Sequence, residues 1–234
     1  MNRKEKQDQA KELQRLFGGI SGRYDLLNRL ISLGRDKAWR RRLVEKAALP
    51  PGGSLLDIGT GTGGIALTAV RQDPSLRVTA ADYTVKMMLI GRRKLDADTI
   101  GWCAADALRL PFQRGMFDAV ASGYLIRNVS NPEQAFKEQM RVTKQGGRVV
   151  CLDTSPPAHN LLRPIVVFYL RSVIPLLGKL IAKDRAAYEY LPRSTQAFMK
   201  PDELASTMKK AGLKNVEYKQ FMLGTQVMAA GIKP

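Results

Sequence analysis

A chain of 234 residues, 44% hydrophobic and 25% charged, suits one α/β core with an appendage better than two domains, and its composition excludes collagen-like, low-complexity and disordered classes. Its 38 basic against 21 acidic side chains leave a formal charge of +17, which points to an anionic partner, either nucleic acid or an acidic lipid surface. Two cysteines and one histidine, His159, exclude a disulfide framework and a multi-histidine metal site.

The charge sits at the flanks: residues 1–50 carry 13 basic and 6 acidic groups, residues 159–234 carry 12 and 5, and the stretch between carries 13 and 10. The opening MNRKEKQDQAKELQRL has no apolar h-region, so it does not read as a secretory signal; residues 4–17, 22–33 and 36–48 read as helices. From residue 54 short apolar runs alternate with helical patterns, the mark of a parallel sheet with crossover helices. Strands are expected at 54–58, 77–81, 101–105, 117–123 and 148–153, with helices at about 63–72, 84–97 and 132–143. Cys103 and Cys151 fall in two of these strands and read as small buried hydrophobes in a reducing compartment.

The longest apolar stretch, LLRPIVVFYLRSVIPLLGKLI at 161–181, is broken by Arg163, Arg171, Lys179 and two prolines. It falls short of a membrane span though not of a membrane contact. Pro201 at a first helical position and Gly212 as a stop bound a helix over 201–212, after which NVEYKQF and TQVMAAGI pair as an antiparallel hairpin. The expected division is a helical segment at 1–50, a cofactor-binding core at 51–158, a helical lid or substrate cap at 159–200, and a closing helix and hairpin at 201–234.

LLDIGTGTGG (55–64) raises the question of the cofactor, because Gly59, Gly61 and Gly64 spell the G-x-G-x-x-G of a dinucleotide fold. A pyrophosphate at a helix N-terminus is poorly served by a neighbouring carboxylate, yet Asp57 stands two residues before the first glycine. That placement suits a ligand bearing an ammonium and a sulfonium. Asp82 ends the next strand, where it can accept from ribose hydroxyls, and Asp106 follows the third, where it can accept from an adenine amino group. Three acids at the C-terminal ends of successive strands line the crevice where open α/β sheets bind ligands, although strand-to-helix loops also use aspartates as helix caps. The arrangement favours S-adenosylmethionine and a class I methyltransferase fold: Rossmann-like, seven-stranded, mostly parallel, closed by a reversed hairpin.

Four segments make the sequence recognisable. YDLLNRLISLGRDKAW (24–39) and RVTKQGGRVVCLDTS (141–155) closely resemble the two signature segments of the ubiquinone/menaquinone biosynthesis C-methyltransferases, the UbiE/MenG family; IRNVSN (126–131) and AYEYLPRS (187–194) are similar to two further family blocks. The resemblance runs from about residue 15 to the C-terminus. It implies methyl transfer from S-adenosylmethionine to a ring carbon of a polyprenylated quinol, with demethylmenaquinol as acceptor. It also implies cofactor contacts at Thr62, Asp82, Asp106, Ala107 and Gly123, the last where the family often has serine, with Gly59 and Gly61 as close-approach positions. Asp36 stands where the first signature has histidine, Asp153 where the second has glutamate, Leu27 where methionine is usual, and Ala229 or Ala230 near a family histidine.

Methylating a ring carbon requires alignment and a neighbouring hydroxyl that loses its proton. Arg127 is the candidate to stabilise the phenolate, Asn128 to orient it, and Asp153 to accept the proton directly or through water. Tyr124, Tyr188 and Tyr190 are candidates to wall a ring-shaped pocket. The segment at 161–181 would cap the acceptor and take its tail, while the basic flanks hold a cytoplasmic protein at the inner face of an anionic membrane; a homodimer stays open. Alternatives are a methyltransferase for another lipid or small aromatic and a silent cofactor-binding scaffold of a quinone-synthesis complex. A nucleic-acid partner is disfavoured, because no NPPY-type motif follows strand four and the basic residues are not interleaved with stacking aromatics.

Overall fold

Ser54–Ile58 (β1) is buried along its whole length, as a strand covered on both faces must be. The computed structural model describes residues 15, 18–19, 24–157, 161, 163–173, 194–195 and 197–234. In it β1 pairs in parallel with Arg77–Asp82 (β2) on one side and with Phe117–Gly123 (β4) on the other. Gly101–Ala104 (β3) extends the sheet beyond β2, and Thr143–Thr154 (β5) extends it beyond β4. Lys214–Phe221 (β6) and Gln226–Ile232 (β7) close it: β7 runs antiparallel to β5, and β6 antiparallel to β7. The order β3-β2-β1-β4-β5-β7-β6 reverses between β1 and β4, which opens a crevice at their C-terminal ends.

Alternation along the strands divides the core in two. Leu55, Val78 and Val150 pack under Tyr24–Ile31 (α1)'s neighbour Asp36–Ala47 (α2), through Trp39 and Leu43, and under Gly64–Gln72 (α3), through Ile65 and Ala69. Leu56, Val120 and Cys151 face the other way, against Phe136 of Pro132–Val142 (α5) and Leu204 and Met208 of Pro201–Lys210 (α7). Each fully buried Leu, Phe or Met contributes about 1.5–3 kcal/mol relative to exposure. Asn131 caps α5, its side chain accepting from Gln134 N at 3.1 Å, with Pro132 at the first helical position.

Most boundaries differ from the sequence expectation by a residue or two, and the helix after β2, strand β5 and helix α7 show what moves them. Val85–Gly91 (α4) stops six residues early, because Gly91 lies against the Trp102 ring and the Thr62 carbonyl, where a Cβ would come within 2.5 Å of the ring. The chain then turns back with Asp96 at φ 69°, held by Arg71 at 2.8 Å. Strand β5 begins at Thr143, which pairs with Phe117 before a register shift brings Arg148 opposite Ala119; Lys233 Nζ donates to the Thr143 carbonyl at 2.6 Å and steadies this bulge. Helix α7 ends at Lys210, with Gly212 at φ 106° beyond it.

Of the expected lid, Arg163–Phe168 (α6) and a π-helical turn at Tyr169–Val173 are described, and Tyr169 Oη donates to Ile31 O of α1 at 2.9 Å. Tyr188, Tyr190, His159 and most of the helix expected at 4–17 lie outside the described residues. Among the described residues no helix is long and apolar enough to cross a membrane. Cys151 is buried in β5 and Cys103 half-buried in β3, both as free thiols.

Candidate active site

β1 and β2 deliver two buried carboxylates to one rim. Asp57 has no solvent exposure. Its Oδ2 accepts from Thr60 Oγ1 at 2.6 Å and from Ala66 N, in the first turn of α3, at 3.0 Å, while Oδ1 has no partner among the described residues. Burial pushes its pKa up to about 6, against hydrogen bonds that pull it down. Asp82 accepts from Gly61 N at 2.7 Å and Thr84 N at 2.6 Å, so it straps the glycine loop to β2. Burial raises its pKa too, opposed by those N–H groups.

The loop turns because Gly59 (φ 70°) and Gly61 (φ 57°) adopt left-handed backbone. At Gly59 a Cβ would also press on Leu125 at 2.9–3.2 Å, so the loop and the segment after β4 touch. Gly64 opens α3 against the Arg40 guanidinium, 2.8 Å from where its Cβ would lie. Thr62 is buried; its hydroxyl donates to Asp25 Oδ1 at 2.7 Å and its carbonyl accepts from Lys94 Nζ at 2.9 Å. Asp106 stands at the same rim after β3 but is exposed, accepting from Leu108 N at 2.9 Å in a turn of its own, while Ala107 beside it is buried.

A second cluster forms where β4 and β5 end. Gly123 closes β4, with the Ile65 side chain 2.9 Å from a Cβ placed there. Tyr124 follows at φ 58°, a left-handed conformation that a tyrosine holds only under constraint; its N donates to Leu152 O at 2.7 Å and its hydroxyl to Gln226 at 3.0 Å. In the 3₁₀ turn Ile126–Asn128, the Arg127 guanidinium lies 5.0 Å over the Tyr124 ring and donates to Asp153 Oδ1 at 2.8 Å. Asp153, fully buried at the end of β5, also accepts from Arg127 N at 3.2 Å and Thr154 N at 2.8 Å. Asn128 Nδ2 donates to Tyr124 O at 2.9 Å. Tyr124, Arg127, Asn128 and Asp153 thus come together next to the loop of Gly59, Gly61 and Thr62, which follows Asp57 of β1 and is strapped to Asp82 of β2. Sequence reasoning missed Asp25 and Lys94, which meet Thr62 from 37 and 32 residues away; no local pattern joins them.

Residues 3–233 match the ubiE/COQ5 methyltransferase family. The chain belongs to that family. It is 45% identical to the ubiquinone/menaquinone biosynthesis C-methyltransferase UbiE of Desulfotalea psychrophila over 94% of this chain and 90% of that one. Against the demethylmenaquinone methyltransferase of Thermus thermophilus the identity is 40%, over 94% and 100%. Among solved structures, a possible histamine N-methyltransferase of Thermotoga maritima superposes with a TM-score of 0.65 at 20% identity, covering 94% of this chain and 99% of that one. The phosphoethanolamine N-methyltransferase 2 of Haemonchus contortus, in complex with S-adenosyl-L-methionine, gives 0.63 at 16%, over 84% and 52%. These two share the fold.

The enzyme is a methyltransferase of the ubiE/COQ5 family and its cofactor is S-adenosylmethionine. The rim fits that group. Asp57 offers a buried carboxylate oxygen that no hydrogen bond of the described residues occupies, Asp82 is fixed at the rim by Gly61 N and Thr84 N with further bonds from the Thr84 hydroxyl and Tyr83 N, and the glycines leave bare backbone. Where the family signature has histidine, Asp36 is buried at the start of α2 and is occupied by Ser32 Oγ at 3.2 Å and Arg40 at 3.2 Å. Ala229 and Ala230 are buried in β7.

Proposed function

We propose that this methyltransferase transfers the methyl group to a ring carbon of a prenylated quinol, with demethylmenaquinol as acceptor and menaquinol as product. The observation that carries the proposal is the Tyr124–Arg127–Asp153 cluster adjoining the glycine loop, in a chain whose relatives bear those names over nearly their whole length. When bound, S-adenosylmethionine supplies an already activated methyl group. The protein then has to align the ring and favour the phenolate of the hydroxyl beside the accepting carbon.

Arg127 provides the fixed positive charge for that phenolate. Its guanidinium is stacked on Tyr124 and anchored by Asp153, so it needs little reorganisation as charge develops. The carboxylate of Asp153 already accepts three N–H donors, which suits an anchor for Arg127 better than the proton acceptor, direct or through water, expected from sequence. The hydroxyl proton leaves to water, and Asn128, tied to the Tyr124 carbonyl, orients the ring. The apolar stretch at Arg163–Val173 is the element proposed to cover the acceptor and its tail. The basic flanks rest against anionic headgroups, each Lys or Arg near the surface adding about 1 kcal/mol.

Arg127→Ala would leave a buried carboxylate unpaired, a loss of about 3–5 kcal/mol in stability, so Arg127→Lys is the cleaner variant. It keeps the charge and loses the planar fork and the stacking. The expected result is a kcat on a demethylmenaquinol lower by about 10²–10³ with cofactor affinity unchanged. Unchanged turnover would remove Arg127 from the chemistry.

A further inference from the structure

Thr62 lies in the glycine loop with 2% exposure, and two side chains from outside the loop converge on it. Asp25, in the first turn of α1, accepts the Thr62 hydroxyl proton at 2.7 Å. Lys94, in the turn after α4, donates to the Thr62 carbonyl at 2.9 Å and also pairs with Asp25. A carboxylate has no proton to give, so the direction of the Thr62 O–H bond is dictated. The hydroxyl oxygen therefore keeps only lone pairs for any further partner and can meet only a donor, while Lys94 neutralises the carboxylate that sets this polarity.

We infer that Asp25 and Lys94 are positioning residues for cofactor capture: they orient Thr62 so that its oxygen accepts from the ammonium of the cofactor's amino-acid moiety. The inference rests on the cofactor site described above and is independent of which acceptor is methylated. Asp25 and Lys94 are 44% and 28% exposed in their side chains, and an ion pair so open to water adds little to stability. The pair therefore acts on the loop's recognition more than on folding, and it couples the seating of α1 to the seating of the cofactor.

The test is titration calorimetry on the full chain with two probes that need no acceptor. S-adenosylhomocysteine carries the amino acid, and 5′-methylthioadenosine lacks it. Asp25→Ala is expected to weaken S-adenosylhomocysteine about tenfold, near 1.4 kcal/mol, and Lys94→Met at least about threefold. Both should bind 5′-methylthioadenosine like the parent, with melting temperatures close to it. Asp25→Asn keeps an amide oxygen for the Thr62 hydroxyl and should recover most of the loss, whereas Thr62→Val should reproduce it.

If Asp25→Ala binds S-adenosylhomocysteine as the parent does while Thr62→Val does not, the orienting role is wrong and the site stands. If Thr62→Val also binds normally, Thr62 does not meet the ligand and the inference fails at its root. Equal weakening of both probes, or an Asp25→Asn as weak as Asp25→Ala, would mean general damage to the loop or a bare charge effect, and either overturns it.

Discussion

Asp57 carries a carboxylate where burial opposes its charge, its pKa raised from 3.8 to about 6. The folded chain thus binds this proton more tightly than the unfolded one, and the contribution to stability falls as pH rises through the interval from about 4 to 6. A cationic ligand reverses the balance, since it favours the ionised form. Affinity for S-adenosylhomocysteine should accordingly tighten between pH 5 and pH 7, and Asp57→Asn should flatten that dependence; calorimetry across the range checks both, and a slope of the other sign would remove Asp57 from the cation site. Asp57 and Asp82 were legible in the sequence because Asp57 lies near a strand end just before the glycine loop and Asp82 ends the next strand. The partnership of Arg127 with Asp153 was not, since 26 residues and a crossover helix separate them. Nor did spacing reveal that Asp106 is occupied by its own turn.

The elements hold the rim through contacts between strands. Asp118, in β4, accepts from Ser54 N at 2.8 Å and Ser54 Oγ at 2.7 Å, and from Lys144 Nζ at 2.8 Å, so one carboxylate ties β1, β4 and β5 at the edge opposite the crevice. Burial alone would raise its pKa, but the Lys144 and Ser54 hydrogen bonds outweigh it and hold the value at about 2. The stability it confers is present above the unfolded pKa near 4 and is lost as pH falls toward 2. Asp118→Ala should lower stability by about 1–3 kcal/mol, seen as a drop in Tm of several degrees at pH 7 that shrinks at pH 3, with cofactor affinity intact. Strands β1 and β4 were readable to the residue from their apolar runs. The early stop of α4 and the early start of β5 were not, because Trp102 against Gly91 and Lys233 under Thr143 are tertiary contacts that override local pattern.

At the scale of the molecule, the mostly parallel sheet with its reversed β6–β7 hairpin followed from alternating apolar runs and helical patterns, together with a terminal pair too close in sequence for a crossover, whereas the strand order came only with the structure. Charge distribution adds what topology does not: +17 overall, weighted to the two flanks, while exposed Leu26, Leu30 and Leu33 on and after α1 and Phe168 on α6 offer apolar surface near the helix that Tyr169 links to α1. The protein should co-sediment with vesicles rich in phosphatidylglycerol, bind phosphatidylcholine vesicles far less, and be released as salt rises to about 0.5 M, where screening shortens to a few Å. Equal binding to both vesicle types would separate the charge from any role at a membrane.

The central claim concerns where the methyl group goes. Incubation with S-adenosylmethionine labelled in its methyl group and a short-chain demethylmenaquinol, followed by NMR of the product, should place the label on the ring carbon, as a C-methyl resonance with the neighbouring hydroxyls intact. Label on oxygen, or label reaching a phosphatidylethanolamine amine while the quinol stays unmodified, would contradict the account.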